Sequence, residues 1–220
     1  MNIKLGDYNL LSGKNRWVGT WQIIMYFSTM YFSRFVFLLM LLTAFHCRPA
    51  LASPDPPFSL PSKHELGRIR SGVIYTNKGA IYLELFPHEA PWHVANLKHL
   101  ADTGFYRNLP FHLYEENYFI QCGAPQAGVL SSGPGYTLPA EFNEHKHLVG
   151  TLSMVRRPDD LDLDHLRSSH GSQFRIMLAA SPHMNGQYTV FGRVIKGMEV
   201  VQSLRRGDRI KDLQVFVQKR

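Results

Sequence analysis

From residue 72 onward the apolar side chains of this chain come in short alternating runs bounded by turn residues. In residues 80–86 (AIYLELF), Ile81, Leu83 and Leu85 fall on one face at period two, with Tyr82 and Glu84 on the other. That is the pattern of a strand buried on one side. Residues 72–76 (GVIYT) precede it across Asn77-Lys78-Gly79. Glycine supplies the positive φ that a tight connection needs, so the pair predicts a hairpin. Further short strands are predicted at 118–121, 150–154, 172–178 and 189–194, with Leu213-Gln214-Val215-Phe216-Val217 closing the chain. Helical spacing occurs twice. Pro91 opens a segment with Val94, Leu97 and Ala101 that ends near Gly104; proline in the first turn and glycine past the last suit a helix. A second helix is predicted at about residues 198–204, after Gly197. Many short strands with two helices predict a mainly β fold, a closed antiparallel barrel with helical plugs at its ends.

The first 52 residues follow another pattern. Residues 35–45 (FVFLLMLLTAF) form an unbroken apolar run behind Arg34, and Ala50-Leu51-Ala52 stands ahead of Ser53. A basic flank, a short apolar core and a small-x-small site are the anatomy of a secretory signal. At about 1.5 Å per residue the run covers roughly half of a ~30 Å hydrocarbon core. Extending it back to Trp21 would put Arg34 mid-membrane at a cost of about 2.5–3.5 kcal/mol. Residues 1–52 are therefore expected to be a signal peptide, or a signal anchor if retained, and the protein to be exported to the periplasm or cell envelope. Contact with a membrane is expected only if that segment stays. Residues 53–71 open with Pro54, Pro56, Pro57 and Pro61 and read as a Pro-rich linker. Residues 72–217 are left as one domain.

Charge changes little. The formal net charge is +7, but Lys4, Lys14, Arg16, Arg34 and Arg48 face only Asp7 in residues 1–52. The rest carries no basic stripe with interleaved aromatics, which argues against a nucleic-acid partner. Cys47 leaves with the signal and Cys122 is then alone, so no disulfide and no cysteine zinc site can form within the mature chain. Asp160, Asp162 and Asp164 alternate like the start of a calcium loop, but His165 stands where glycine and Gly171 where glutamate is needed. His145, His147, His165, His170 and His183 have no metal-ligand spacing along the chain. No metal or cofactor is expected, and the protein is expected to act as a monomer.

Two segments carry the chemistry. Residues 111–123 (FHLYEENYFIQCG) and 171–194 (GSQFRIMLAASPHMNGQYTVFGRV) set an aromatic-rich strand, two glutamines and a loop around what could be one apolar pocket. With Ala90-Pro91 and Asn96, Gly104-Phe105-Tyr106 and Gly150-Thr151-Leu152-Ser153-Met154, they form an ordered set that resembles the cyclophilin family of peptidyl-prolyl cis-trans isomerases. The resemblance runs nearly from residue 72 to 217. It implies an eight-stranded barrel capped by two helices, and proline-containing polypeptides as substrates.

An X–Pro bond faces a rotational barrier of ~18–20 kcal/mol because resonance stiffens its C–N bond. Lowering that barrier needs no covalent step. The site must seat the proline ring, favour the twisted amide, and aim a donor at the nitrogen as its lone pair returns. By resemblance Phe119 and Tyr118 form a pocket wall, and Gln121 hydrogen-bonds the substrate backbone. Val155 lines the neighbouring groove with Gln173 at its edge, and Met184, His183 and Tyr188 shape the pocket and rim. His112, next to the groove residue Phe111, orders its strand through a buried hydrogen bond. Two positions depart from the family: Leu113 replaces the arginine expected to face the prolyl nitrogen, and Arg175 replaces a phenylalanine of the pocket floor. Gln173 and Arg175 share one strand face. Either Arg175 is the catalytic donor moved to another wall, or it fills the proline pocket and leaves a non-catalytic peptide-binding module, with a holding chaperone as a weaker third reading.

Overall fold

The computed structural model describes residues 55–125, 133–156 and 169–219. The expected signal at 1–52 and the acidic run at 160–164 lie outside them. The predicted hairpin is formed by β1 (Ile69–Thr76) and β2 (Ala80–Leu85), in register from Ser71 opposite Glu84 to Tyr75 opposite Ala80. Gly79 turns the chain at φ 145°, where a Cβ would stand 2.8 Å from a Val200 methyl. The remaining strands are β3 (Leu113–Glu115), β4 (Phe119–Cys122), β5 (Thr137–Leu138), β6 (Thr151–Arg156), β7 (Ser169–Met177), β8 (Val190–Lys196) and β9 (Ile210–Val217).

Eight strands follow one another in the order β3-β4-β7-β6-β8-β2-β1-β9, all antiparallel, and β5 pairs with the start of β7. The sheet curls into a half-barrel, and here the expectation of a closed barrel is corrected. Its end strands β3 and β9 share no ladder; the chain ahead of β3 meets the start of β9 through one bridge, Pro110 to Arg209, and four backbone hydrogen bonds between residues 108–111 and 207–210. Proline has no N–H to extend a ladder, and β3 is three residues long. The sheet therefore stays open.

Alternation along the strands makes two apolar faces. Ile120 and Cys122 of β4, Leu152 and Met154 of β6, and Phe174 and Ile176 of β7 point into the curl, where they join Ile74, Ile81, Leu83 and Phe191. Each such side chain contributes about 1.5–3 kcal/mol when fully buried. The intervening residues face the other side, where Phe119, Met177 and Met184 form a second cluster.

Helix α2 (Pro91–Asp102) covers the curl with Val94, Leu97 and Leu100. Its N-cap, Ala90, has no side chain able to cap it. Glu141 does so from a distance, its carboxylate accepting from Trp92 N (2.9 Å), His93 N (3.0 Å) and the His93 ring. Helix α3 (Met198–Ser203) follows Gly197 as predicted.

The stretch read as a linker is more structured than its prolines suggest. Lys63–Leu66 forms α1, closed by a capping box between Ser62 and Glu65, and β1 begins at Ile69. Phe58 stacks on His99 at 5.1 Å between ring centroids and also meets Trp92 and Tyr136.

Candidate active site

The register of three ladders builds the site. Leu113 of β3 lies opposite Gln121 of β4, Gln121 opposite Arg175 of β7, and Arg175 opposite Ser153 of β6. The four form one row across the outer face, with Leu113 and Arg175 on either side of Gln121. Arg175 thus stands beside the same glutamine as Leu113, the position at which the resemblance leads to an arginine being expected.

Arg175 Nε donates to Gln121 Oε1 at 2.9 Å. A guanidinium only donates, so this bond fixes the orientation of the Gln121 amide. Gln121 Nε2 then donates to Gln173 Oε1 at 2.9 Å and to His112 Nε2 at 3.2 Å, using both of its hydrogens. His112 must accept on Nε2 and is therefore neutral. Burial holds its pKa below the ordinary histidine value, helped by Arg206, against opposing hydrogen bonding with Gln173 and the Pro110 backbone. With both N–H groups engaged, Gln121 aims Arg175 and has only the oxygen left to offer a substrate.

Above this network the Arg175 guanidinium carbon lies 4.5 Å from the Phe119 ring centroid and 5.4 Å from that of Tyr188. Leu113, Tyr118 and Tyr188 pack around the Phe119–Met177–Met184 cluster. The result is an apolar floor with one planar, always-charged donor held over it.

The loop at residues 181–188 supplies the far wall and is held by His147. The backbone oxygen of His147 accepts from Ser181 N at 2.8 Å. Its backbone N–H donates to Asn185 Oδ1 at 2.9 Å. Its ring Nδ1 meets the same oxygen at 3.2 Å, and its Nε2 meets Ser153 Oγ at 2.9 Å. Because Asn185 Oδ1 only accepts, the proton sits on Nδ1 and Ser153 donates to Nε2. Burial is the main cause that lowers the His147 pKa, with Arg175 and His183 adding to it.

Of the residues expected at the site, Leu113, Tyr118, Phe119, Gln121, Arg175, Met184 and Tyr188 come together on the outer face. Tyr118 hydrogen-bonds His183 Nε2 at 2.9 Å, which holds the exposed histidine at the rim. Val155 is buried two positions beyond Ser153 in β6. Two placements differ from expectation. Phe111 is fully buried in the interior core and does not line the groove. Gln173 is also fully buried, beneath the network rather than at an edge. The sequence reading missed Ser153, His147 and Asn185 as parts of the site. The only signal for His147 was its histidine identity, because its partners lie 6 and 38 residues away.

Residues 73–218 match the model of the cyclophilin type peptidyl-prolyl cis-trans isomerase/CLD family. The chain belongs to the cyclophilin family. It is 39% identical over 145 residues to a peptidyl-prolyl cis-trans isomerase of Synechococcus elongatus, covering 65% of this chain and 94% of that one. It is 40% identical over 137 residues to peptidyl-prolyl cis-trans isomerase B of Bacillus subtilis, covering 61% and 90%. Among solved structures, a Cryptosporidium parvum cyclophilin type peptidyl-prolyl cis-trans isomerase in the presence of the dipeptide Ala-Pro superposes with a TM-score of 0.59 at 26% identity, covering 68% of this chain and 100% of that one. Within a cyclophilin frame, the Leu113–Gln121–Arg175 row is where this chain departs from the arginine expected on β3.

Proposed function

We propose that this cyclophilin isomerises X–Pro bonds with Arg175 as the donor to the prolyl nitrogen. The observation that carries the reading is the Arg175–Gln121 hydrogen bond across the row, which holds the guanidinium beside the apolar floor. The proline ring packs on Phe119, Met184 and Leu113. As the amide twists, its nitrogen regains a lone pair, and the guanidinium Nη groups, which Gln121 does not use, are the donors at hand. Leu113 adds apolar surface where a second cation would repel Arg175. Half-buried His112 and buried Gln173 keep Gln121 from turning. The Arg34 flank, apolar run and Ala50-Leu51-Ala52 of the sequence support export.

A protease-coupled assay on an Ala-Pro peptide tests the mechanism. Arg175→Ala is expected to lower kcat/KM by ~10²–10³, the usual loss for one positioned electrostatic donor. An Arg175→Ala variant faster than wild type would make Arg175 a plug over the floor and the wild-type chain a peptide-binding module. Export is tested by fractionating cells that express the full chain: recovery of a shortened protein outside the inner membrane supports it, and a full-length cytosolic protein refutes it.

A further inference from the structure

Two guanidinium groups crowd one ring at the edge of the site. Arg175 Cζ lies 5.4 Å, and Arg156 Cζ 5.8 Å, from the centroid of Tyr188. Arg175 gives its Nε to Gln121, whereas Arg156 Nε is buried with no hydrogen-bond partner. Among the described residues neither arginine meets a carboxylate at ion-pair distance. Glu115, opposite Phe119 in the β3–β4 ladder, is exposed and pairs with neither. Among the described residues the other groups near the ring are basic rather than acidic: His183 stands at the rim, and Arg175 and His183 both help depress the pKa of buried His147. A buried donor without a partner and two like charges sharing one ring are both unfavourable in the free protein. One carboxylate would relieve both.

Resting on the isomerase reading, we propose that this edge is a subsite for an acidic side chain within two residues of the substrate proline, with Arg156 as the specificity-determining residue. The geometry sets the spacing. Since both Cζ atoms lie near the same centroid, they are no more than about 11 Å apart. An extended peptide advances roughly 3.3–3.6 Å per residue, and side chains add reach at each end. A proline beside Arg175 therefore brings the side chain one or two residues along to Arg156. The chemistry sets the class, because a planar guanidinium fork matches a carboxylate and repels lysine. Its place over the Tyr188 ring holds the Arg156 guanidinium beside the site.

The test is an isomerisation assay on the full chain with acetylated tetrapeptides carrying Glu, Ala or Lys one or two residues from the proline. At low salt kcat/KM for the better Glu peptide is expected to exceed that for its Lys counterpart about threefold to tenfold, the range for one or two partly exposed ion pairs. The ratio should shrink in ~1 M salt, where the screening length falls to about 3 Å. Arg156→Ala should bring the ratio close to one, and Arg156→Lys should keep part of it. A wild-type ratio near one, or a ratio that Arg156→Ala leaves unchanged, overturns the subsite. If no peptide is turned over, the isomerase reading fails instead, and titrating the same peptides by amide chemical shifts still decides the inference. Tighter binding of the Glu peptides that is lost in Arg156→Ala upholds it, and equal binding of Glu and Lys peptides overturns it.

Discussion

Arg175 does with one side chain what the proposed role requires: it bonds Gln121 through Nε, stands over the Phe119 ring, and has Nη groups that Gln121 does not use. Lysine cannot do all three, since an ammonium is a point charge without a planar face. Arg175→Lys is therefore expected to fall well below wild type in kcat/KM while unfolding at the same denaturant midpoint. The histidines make a second prediction at this scale. His112 and His147 are both held neutral by burial, with folded pKa values below the ordinary value near 6.5. The unfolded chain then binds more protons than the folded one as pH falls through that value, so stability drops on acidification. Urea midpoints measured from pH 8 to pH 5 should be level above about 6.5 and decline below it. An unchanged midpoint down to pH 5 would show that the histidines are not buried as neutral acceptors. Strand parity alone placed Arg175 beside Gln173 in the sequence. The row Leu113–Gln121–Arg175 was not legible there, because register between β4 and β7 joins residues about fifty positions apart.

At the scale of elements, the segments that alternate strongly were legible and those that are short were not. The β1–β2 hairpin, α2 and α3 lie within a residue or a few of their expected limits. Strands β3 and β5, of three and two residues, are too short for any period to register. The cap of α2 was hidden for a related reason, since Ala90 is a poor N-cap and Glu141 comes from 49 residues beyond Trp92. Glu141→Ala leaves the Trp92 and His93 N–H groups and the buried His93 ring without their acceptor. Loss of a helix cap costs about 0.5–2 kcal/mol, and the buried His93 contact puts this one at the upper end. A thermal scan should show the lower midpoint, while the assay at low temperature should show near-normal kcat/KM because Glu141 lies outside the Leu113–Gln121–Arg175 row.

For the whole molecule, the prolines at 54–61 led to a linker and a domain starting at residue 72, because composition does not reveal docking. Phe58 packs against His99, Trp92 and Tyr136, and Ile69 opposite Val217 begins the β1–β9 ladder. Arg68 extends the same seam, its backbone oxygen accepting from Gln218 N at 2.9 Å and its Nε donating to Gln218 O at 2.8 Å. This edge matters because the half-barrel is open: β9 has β1 as its one ladder partner, and the chain at its start meets residues 108–111 ahead of β3 through the Pro110–Arg209 bridge and a few backbone hydrogen bonds. A chain begun at residue 72 loses the first rungs of that ladder together with the Leu66 and Ile69 side chains of the core. Losing two buried aliphatic side chains costs several kcal/mol at about 1.5–3 each, a large part of a typical total of 5–15. The chain begun at 55 is expected to unfold in one cooperative transition. The chain begun at 72 should melt much lower, with β9 amides exchanging first. Equal midpoints for the two would mean that the β1–β9 edge holds without residues 55–71.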